Sequence, residues 1–165
     1  MRYAAIFTFA LALASASQAE IAWEQNLKAA HARAAAEGKL MLLHFYSDNC
    51  GWCDKLEAGA FKSPAVADAL ANGYVAVKIH GMHNPKLTSM FKVRKYPTDV
   101  IVTTDGKALT HQVSPQQPDR YVAMLSGARS RHSQATTVAS APTQPTQAQQ
   151  TPSPKTPNLP PPTPT

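Results

Sequence analysis

The chain has 165 residues, 44% of them hydrophobic, with 16 Lys and Arg against 10 Asp and Glu for a formal charge of +6. Its basic residues are scattered, and only Lys92-Arg94-Lys95 and Arg129-Arg131 cluster; without a basic stripe interleaved with aromatics, nucleic acid is not an expected partner. The two cysteines, Cys50 and Cys53, exclude a four-thiolate zinc site, because no second Cys-x-x-Cys exists to complete one.

In chain order, Arg2 supplies a basic start and Ala4 through Ala14 is apolar apart from Thr8, too short a run to span a bilayer. Residues 1–19 therefore read as a secretory signal, with small residues placing cleavage after Ala19 and Ala16 as the second choice. An uncleaved membrane anchor is the competing reading. No cysteine follows either site, which argues against a lipoprotein anchor. Export, to a periplasm or beyond the cell, also makes disulfide chemistry possible.

Residues 20–131 carry all the regular patterning and are enough for one domain with one core. Glu24 to Glu37 is rich in Ala, Leu and Lys and stops before Gly38, which predicts a helix. Leu40 to Tyr46 is a buried strand, a helix opens at Cys50, and Ser63-Pro64 caps and starts another that ends near Asn72-Gly73. Tyr74 to Ile79 is the next strand. Asn84-Pro85 opens a helix with Leu87, Met90 and Phe91 at core spacing. Val100 to Val102 is a strand, Asp105-Gly106 turns into a strand from Ala108 to Val113, and Ser114 to Gly127 is a terminal helix facing inward through Tyr121, Val122 and Leu125.

A parallel strand pair joined by a helical crossover, then an antiparallel hairpin, predicts an α/β fold: a central mixed sheet of about four strands with helices on both faces. Residues 132–165 are almost entirely Pro, Thr, Gln, Ser and Ala. Such a composition buries too little apolar surface to offset its ordering entropy, so a disordered tail is expected, with polyproline character around Leu159-Pro160-Pro161-Pro162. A flexible spacer is its simplest role; docking to a partner or an envelope polymer is the other.

The chemistry of the chain lies in Cys50-Gly51-Trp52-Cys53. A strand ending in a turn that opens a helix puts the first sulfur at a positive helix end, where a thiolate is favoured. The second sulfur follows three positions on, so the pair can close and reopen a small disulfide and carry two electrons. A metal site and an inert disulfide are the competing uses of such a pair.

Phe45-Tyr46-Ser47-Asp48-Asn49-Cys50-Gly51-Trp52-Cys53, then Lys92-Val93-Arg94-Lys95-Tyr96-Pro97-Thr98, then Thr104-Asp105-Gly106-Lys107, resembles the thioredoxin-fold family, in particular its exported single-domain members with Cys-Gly-Trp-Cys. The match covers roughly residues 23–126. The resemblance implies a thioredoxin-like fold and a thiol-disulfide oxidoreductase with no organic cofactor beyond a redox-active Cys50–Cys53 disulfide. It implies Cys50 as nucleophile, Cys53 as resolving thiol, and a cis Pro97. Tyr96, Pro97 and Thr98 would then meet an extended substrate segment, with Trp52 as an apolar contact. A cis X-Pro bond turns the chain sharply and can present main-chain groups to such a segment; an ordinary trans proline at a strand start is the alternative.

His44 stands where the family commonly has a buried acid that assists the resolving thiol. A neutral imidazole could relay the same proton; a packed histidine with satisfied nitrogens is the plainer reading. Lys78 matches the strand lysine beside that acid. Trp52 replaces a proline, Asn49 a tryptophan, and Tyr46 reads as a wall of the site.

His80 and His83, with the cysteines, form a donor set that soft or borderline metals accept, but their loop follows a different strand, and a solvated pair is the simpler reading. No metal is therefore expected. The partners expected are protein or peptide disulfides and dithiols and a membrane electron donor or acceptor, with the chain a monomer. The runner-up is a non-catalytic thioredoxin-fold binding or metal-carrying module whose disulfide is structural.

Overall fold

Alternation along the apolar strands decides the architecture. In the computed structural model, which describes residues 20–140, β2 (Leu40–Tyr46) is buried on both faces except at its last residue. It pairs in parallel with β3 (Tyr74–His80) and antiparallel with β4 (Thr98–Val102). The outer strands are β1 (Trp23–Glu24), parallel to β3, and β5 (Ala108–Val113), antiparallel to β4. The order is β1-β3-β2-β4-β5, a sheet of five strands. The sequence predicts about four. The fifth, β1, is two residues long and shows no alternation of its own; it exists through its pairing with Ala76 and Val77.

Helices α1 (Leu27–Glu37), α2 (Gly51–Ala58), α3 (Pro64–Ala71), α4 (Pro85–Met90) and α5 (Pro118–Ser140) complete the fold, with a short 3-10 turn at Ala60–Lys62. Side chains at alternate β2 positions point to opposite faces. Leu40 and Leu42 pack with Leu56 of α2, Phe61, Val66 and Leu70 of the α3 region, and Tyr121 and Leu125 of α5. Met41, Leu43 and Phe45 pack on the other face with Ala30 and Ala34 of α1 and, toward α4, Leu87 and Phe91. Leu42 is wholly buried, so truncation to Ala would cost about 2–5 kcal/mol.

Local signals set the helix ends. Asn26 caps α1, its side-chain oxygen accepting the Ala29 N–H at 3.0 Å. That helix ends at Gly38 with φ of +62°, a conformation glycine adopts without steric cost. It begins at Leu27 rather than Glu24, because Glu24 belongs to β1. Pro64 starts α3 as expected, while Ser63 occupies the N-cap position without a side-chain capping bond.

Three further expectations are corrected. The terminal helix begins at Pro118, and it runs to Ser140 instead of stopping at Gly127. Residues 132–140, read as tail, are thus helical. Their Ser and Thr content misled because hydroxyls can be accommodated in a helix: Thr136 and Thr137 Oγ1 donate to the carbonyls of His132 and Ser133. Met90, placed at core spacing, is 69% exposed; α4 ends there, and it is Leu87 and Phe91 that pack on the core. The signal and its cleavage positions, the polyproline run and residues 141–165 of the tail lie outside the described residues.

Candidate active site

Strand β2 delivers the motif to the C-terminal end of the sheet. Asn49 turns the chain with φ of +52°, and Cys50 becomes the N-cap of α2. Its carbonyl accepts the N–H groups of Cys53 and Asp54 at 2.8 and 3.0 Å, and its sulfur accepts the Cys53 N–H at 3.2 Å. Cys50 and Cys53 are joined as a disulfide with a Cα–Cα separation of 5.2 Å. The Cys50 sulfur thus sits at the N-terminus of α2, where the Cys53 N–H is shared between it and the Cys50 carbonyl, an electrostatic setting that favours a thiolate. Cys50 is partly exposed and Cys53 is 5% exposed. Cys50 is the more accessible residue of the pair.

Trp52 projects from the same turn at 61% exposure, with Lys55 Nζ 5.1 Å from its ring centre. It is an apolar surface beside the sulfurs. Tyr96 lies on the other flank. The Tyr96–Pro97 bond is cis and Pro97 is buried. The Tyr96 ring covers Gly81 so closely that a Cβ there would run into it, and the Gly81 N–H donates to Tyr46 O at 2.8 Å. Among the described residues, neither main-chain group of Tyr96 bonds another backbone group outside the regular elements. Thr98 is buried, sits opposite Phe45 of β2, and donates its hydroxyl to Lys95 O at 2.8 Å.

His44 is on the same sheet face as Leu40 and Leu42, the face that α2 covers, one alternation nearer the motif. It is wholly buried among Trp23, Tyr46 and Phe61, and its Nδ1 lies 2.7 Å from Asp99 Oδ1 of β4. The two residues are directly opposite in the strand register. His44 Nε2 and Asp99 Oδ2 are buried without a hydrogen-bond partner. His44 makes no hydrogen bond to either sulfur.

Tyr121 of α5 adds a third buried polar group. Burial pushes its hydroxyl well above the usual phenol pKa, and the nearby Asp99 carboxylate pushes it further. The hydroxyl makes no hydrogen bond of normal geometry. Lys78 pairs with Glu57 of α2 at 2.7 Å and lies 5.0 Å over the Trp23 ring. This pairing ties α2 to β3.

The sequence assigns no site role to Asp99 or Asp48, and it places Tyr121 only in the core. A signal for Asp99 was present, an acid inside the otherwise uncharged run Thr98-Asp99-Val100-Ile101-Val102. Asp48 lies in the loop before Cys50, with its Oδ1 3.1 Å from His80 Nε2. His80 and His83 stack with ring centres 3.8 Å apart.

Comparison with known proteins places this arrangement in a family. Residues 9–139 match the family model Thioredox_DsbH, described as a protein of unknown function, DUF255. Bloodstream-specific protein 2 of Trypanosoma brucei brucei is 32% identical over 108 residues, 65% of this chain; the chain spans about a fifth (21%) of that relative's length. Among solved structures, a DsbH oxidoreductase superposes with a TM-score of 0.60 at 22% identity, covering 67% of this chain and 85% of that one. A thioredoxin from Thermus thermophilus gives 0.63 at 18%, covering 71% and 93%. The oxidised C-terminal domain of Neisseria meningitidis DsbD gives 0.52 at 22%, covering 62% and 95%. At these identities the structures establish the fold, which is that of thioredoxin. The sheet, the Cys50–Cys53 disulfide at the start of α2 and a family match over residues 9–139 together make this chain a member of the Thioredox_DsbH family.

Proposed function

We propose that the chain is a thiol-disulfide oxidoreductase of the cell envelope that exchanges disulfides with protein or peptide substrates. The observation that carries this reading is the asymmetry of the pair: Cys50 partly exposed at the α2 N-terminus, Cys53 buried one turn in. A structural staple gains nothing from exposing one sulfur at a helix end.

In the reduced form, the Cys50 thiolate attacks one sulfur of a substrate disulfide, the substrate S–S bond breaks, and its other sulfur leaves and takes a proton. Cys53 then loses its proton and attacks the Cys50 sulfur. The second substrate thiol is released, and the protein is left as the disulfide. The substrate has gained two electrons and two protons; run backwards, the same steps oxidise a dithiol. An external partner, read as a membrane electron donor or acceptor, resets the pair. No bound organic cofactor is required.

His44, held by Asp99, is assigned the task of taking the Cys53 proton. Without a hydrogen bond to sulfur in the disulfide form, the transfer runs through a water or a side-chain shift on reduction. Tyr96, with unpaired main-chain groups, is assigned to an extended substrate segment, as a sheet edge would take one. Pro97 and Thr98 form the floor behind it, and Trp52 the apolar lip.

Insulin reduction tests the reading. Wild type should turn over with a dithiol reductant and Cys50→Ser should not. Equal rates, or no turnover by wild type, would point to a binding module with a structural disulfide.

A further inference from the structure

Asp48, His80 and His83 each offer one ligand atom, and these atoms lie within 4.8 Å of one another. We propose that Asp48, His80 and His83 form a binding site for a borderline divalent metal ion, Zn(II) or Cu(II), beside the disulfide. The site stands independently of the thiol chemistry.

The donor set suits these ions. Two imidazoles and a carboxylate provide three ligands of the kind zinc and copper accept, with a fourth position left for water. Metal–ligand distances of about 2.0–2.1 Å put tetrahedral ligand atoms roughly 3.4 Å apart, so the present cluster has to contract by no more than about 1.4 Å. Two of the three side chains are exposed and can move: Asp48 is 74% exposed, and His83, also exposed, has to rotate out of its stack on the His80 ring so that both ring nitrogens can face one ion. His80 is the fixed member. Its side chain is 11% exposed, its carbonyl accepts from Asn84 Nδ2 at 2.9 Å, and the Tyr46 ring packs edge-on against it.

A simple ion pair does not account for the geometry. Asp48 Oδ1 is 3.1 Å from His80 Nε2, yet the two make no hydrogen bond, and Nε2 is buried without a hydrogen-bond partner. An unpartnered ring nitrogen with a carboxylate and a second imidazole gathered around it is the donor geometry of a metal site. The His83 N–H donates to His80 Nδ1 at a long 3.3 Å, which puts the ring proton on Nε2. Ligation through Nε2 moves that proton to Nδ1 and releases this weak bond, so the His80–His83 turn shifts on binding.

Position gives the site its consequence. Asp48 is two residues before Cys50, and the histidines flank Gly81, on which Tyr96 rests. A bound ion would tie the loop carrying the disulfide to the loop that supports Tyr96.

The test is calorimetric titration of the full chain in its disulfide form with Zn(II), so that no thiolate competes. One ion should bind, His83→Ala should weaken binding at least tenfold, and Asp48→Asn should weaken it in the same direction. Both residues are exposed, and circular dichroism checks that the variants fold. Cu(II) should give a nitrogen-coupled paramagnetic spectrum that His83→Ala alters. Equal Zn(II) affinity for wild type and His83→Ala, or no binding at millimolar Zn(II), would overturn the proposal.

Discussion

His44 and Asp99 face each other across β2 and β4, Nδ1 to Oδ1 at 2.7 Å, with both side chains buried. The pair is set by strand register, not by neighbouring residues in the sequence. Removing one member leaves the other buried without its partner, whereas removing both leaves an apolar gap. His44→Leu and Asp99→Leu should each destabilise by about 3 kcal/mol, and the double variant should lose clearly less than the sum. Urea unfolding of the four proteins measures this; strict additivity would show that the pair does not interact.

The same burial difference sets thiol reactivity. On the reduced protein, a limiting alkylating reagent should modify Cys50 well before Cys53, because Cys50 is reachable and sits at the helix start while Cys53 is 5% exposed. Peptide mapping by mass spectrometry gives the order. Equal labelling would remove the division of labour between the two sulfurs.

Gly81 links the histidine turn to Tyr96. A methyl group at this position meets the Tyr96 ring, and the ring, being partly exposed, can swing away at small cost. Gly81→Ala should therefore raise KM for a peptide disulfide several-fold with a stability loss of about 1 kcal/mol. Steady-state kinetics beside thermal unfolding separate the two. An unchanged KM would take Tyr96 out of substrate contact.

Much of the fold and half of the site were legible because their signals are local. Cys50 to Cys53, the helix stop at Gly38, Pro64 and Pro85 at helix starts, and the apolar runs of β2 and β3 are each written within a few residues. His44 could be singled out as unusual, but its partner lies 55 positions away. Only strand register brings the two together. Asp48 was hidden in the same way, since its relation to His80 depends on the loop after β2 meeting the last residue of the neighbouring parallel strand β3. The short β1 escaped because it exists through pairing with the distant β3, and the length of α5 because the Ser and Thr of residues 132–140 are compatible with a helix without favouring one.

Alkali should unfold the protein through its buried tyrosines. Burial raises the Tyr74 hydroxyl to about 12 and Tyr121 well above its ordinary value. The unfolded chain releases these protons from about pH 10 and the native chain holds them longer, so this stability is fully present below pH 10 and is lost as pH rises toward 12. Tyr74 also donates to Leu125 O at 2.6 Å. Tyr74→Phe should cost about 1 kcal/mol at pH 8 and make the decline above pH 10 shallower. Urea midpoints from pH 8 to 11 test this; an unchanged decline would place the alkaline loss elsewhere.

The most direct test of the redox account is capture of the intermediate. Reduced Cys53→Ala, mixed with a peptide disulfide, should accumulate a covalent mixed disulfide at Cys50, seen as the added mass of one peptide half and released by a dithiol. Cys50→Ala should accumulate none on the buried Cys53. Failure of Cys53→Ala to form any adduct, or equal adduct formation by both variants, would contradict an exposed attacking sulfur backed by a buried resolving one.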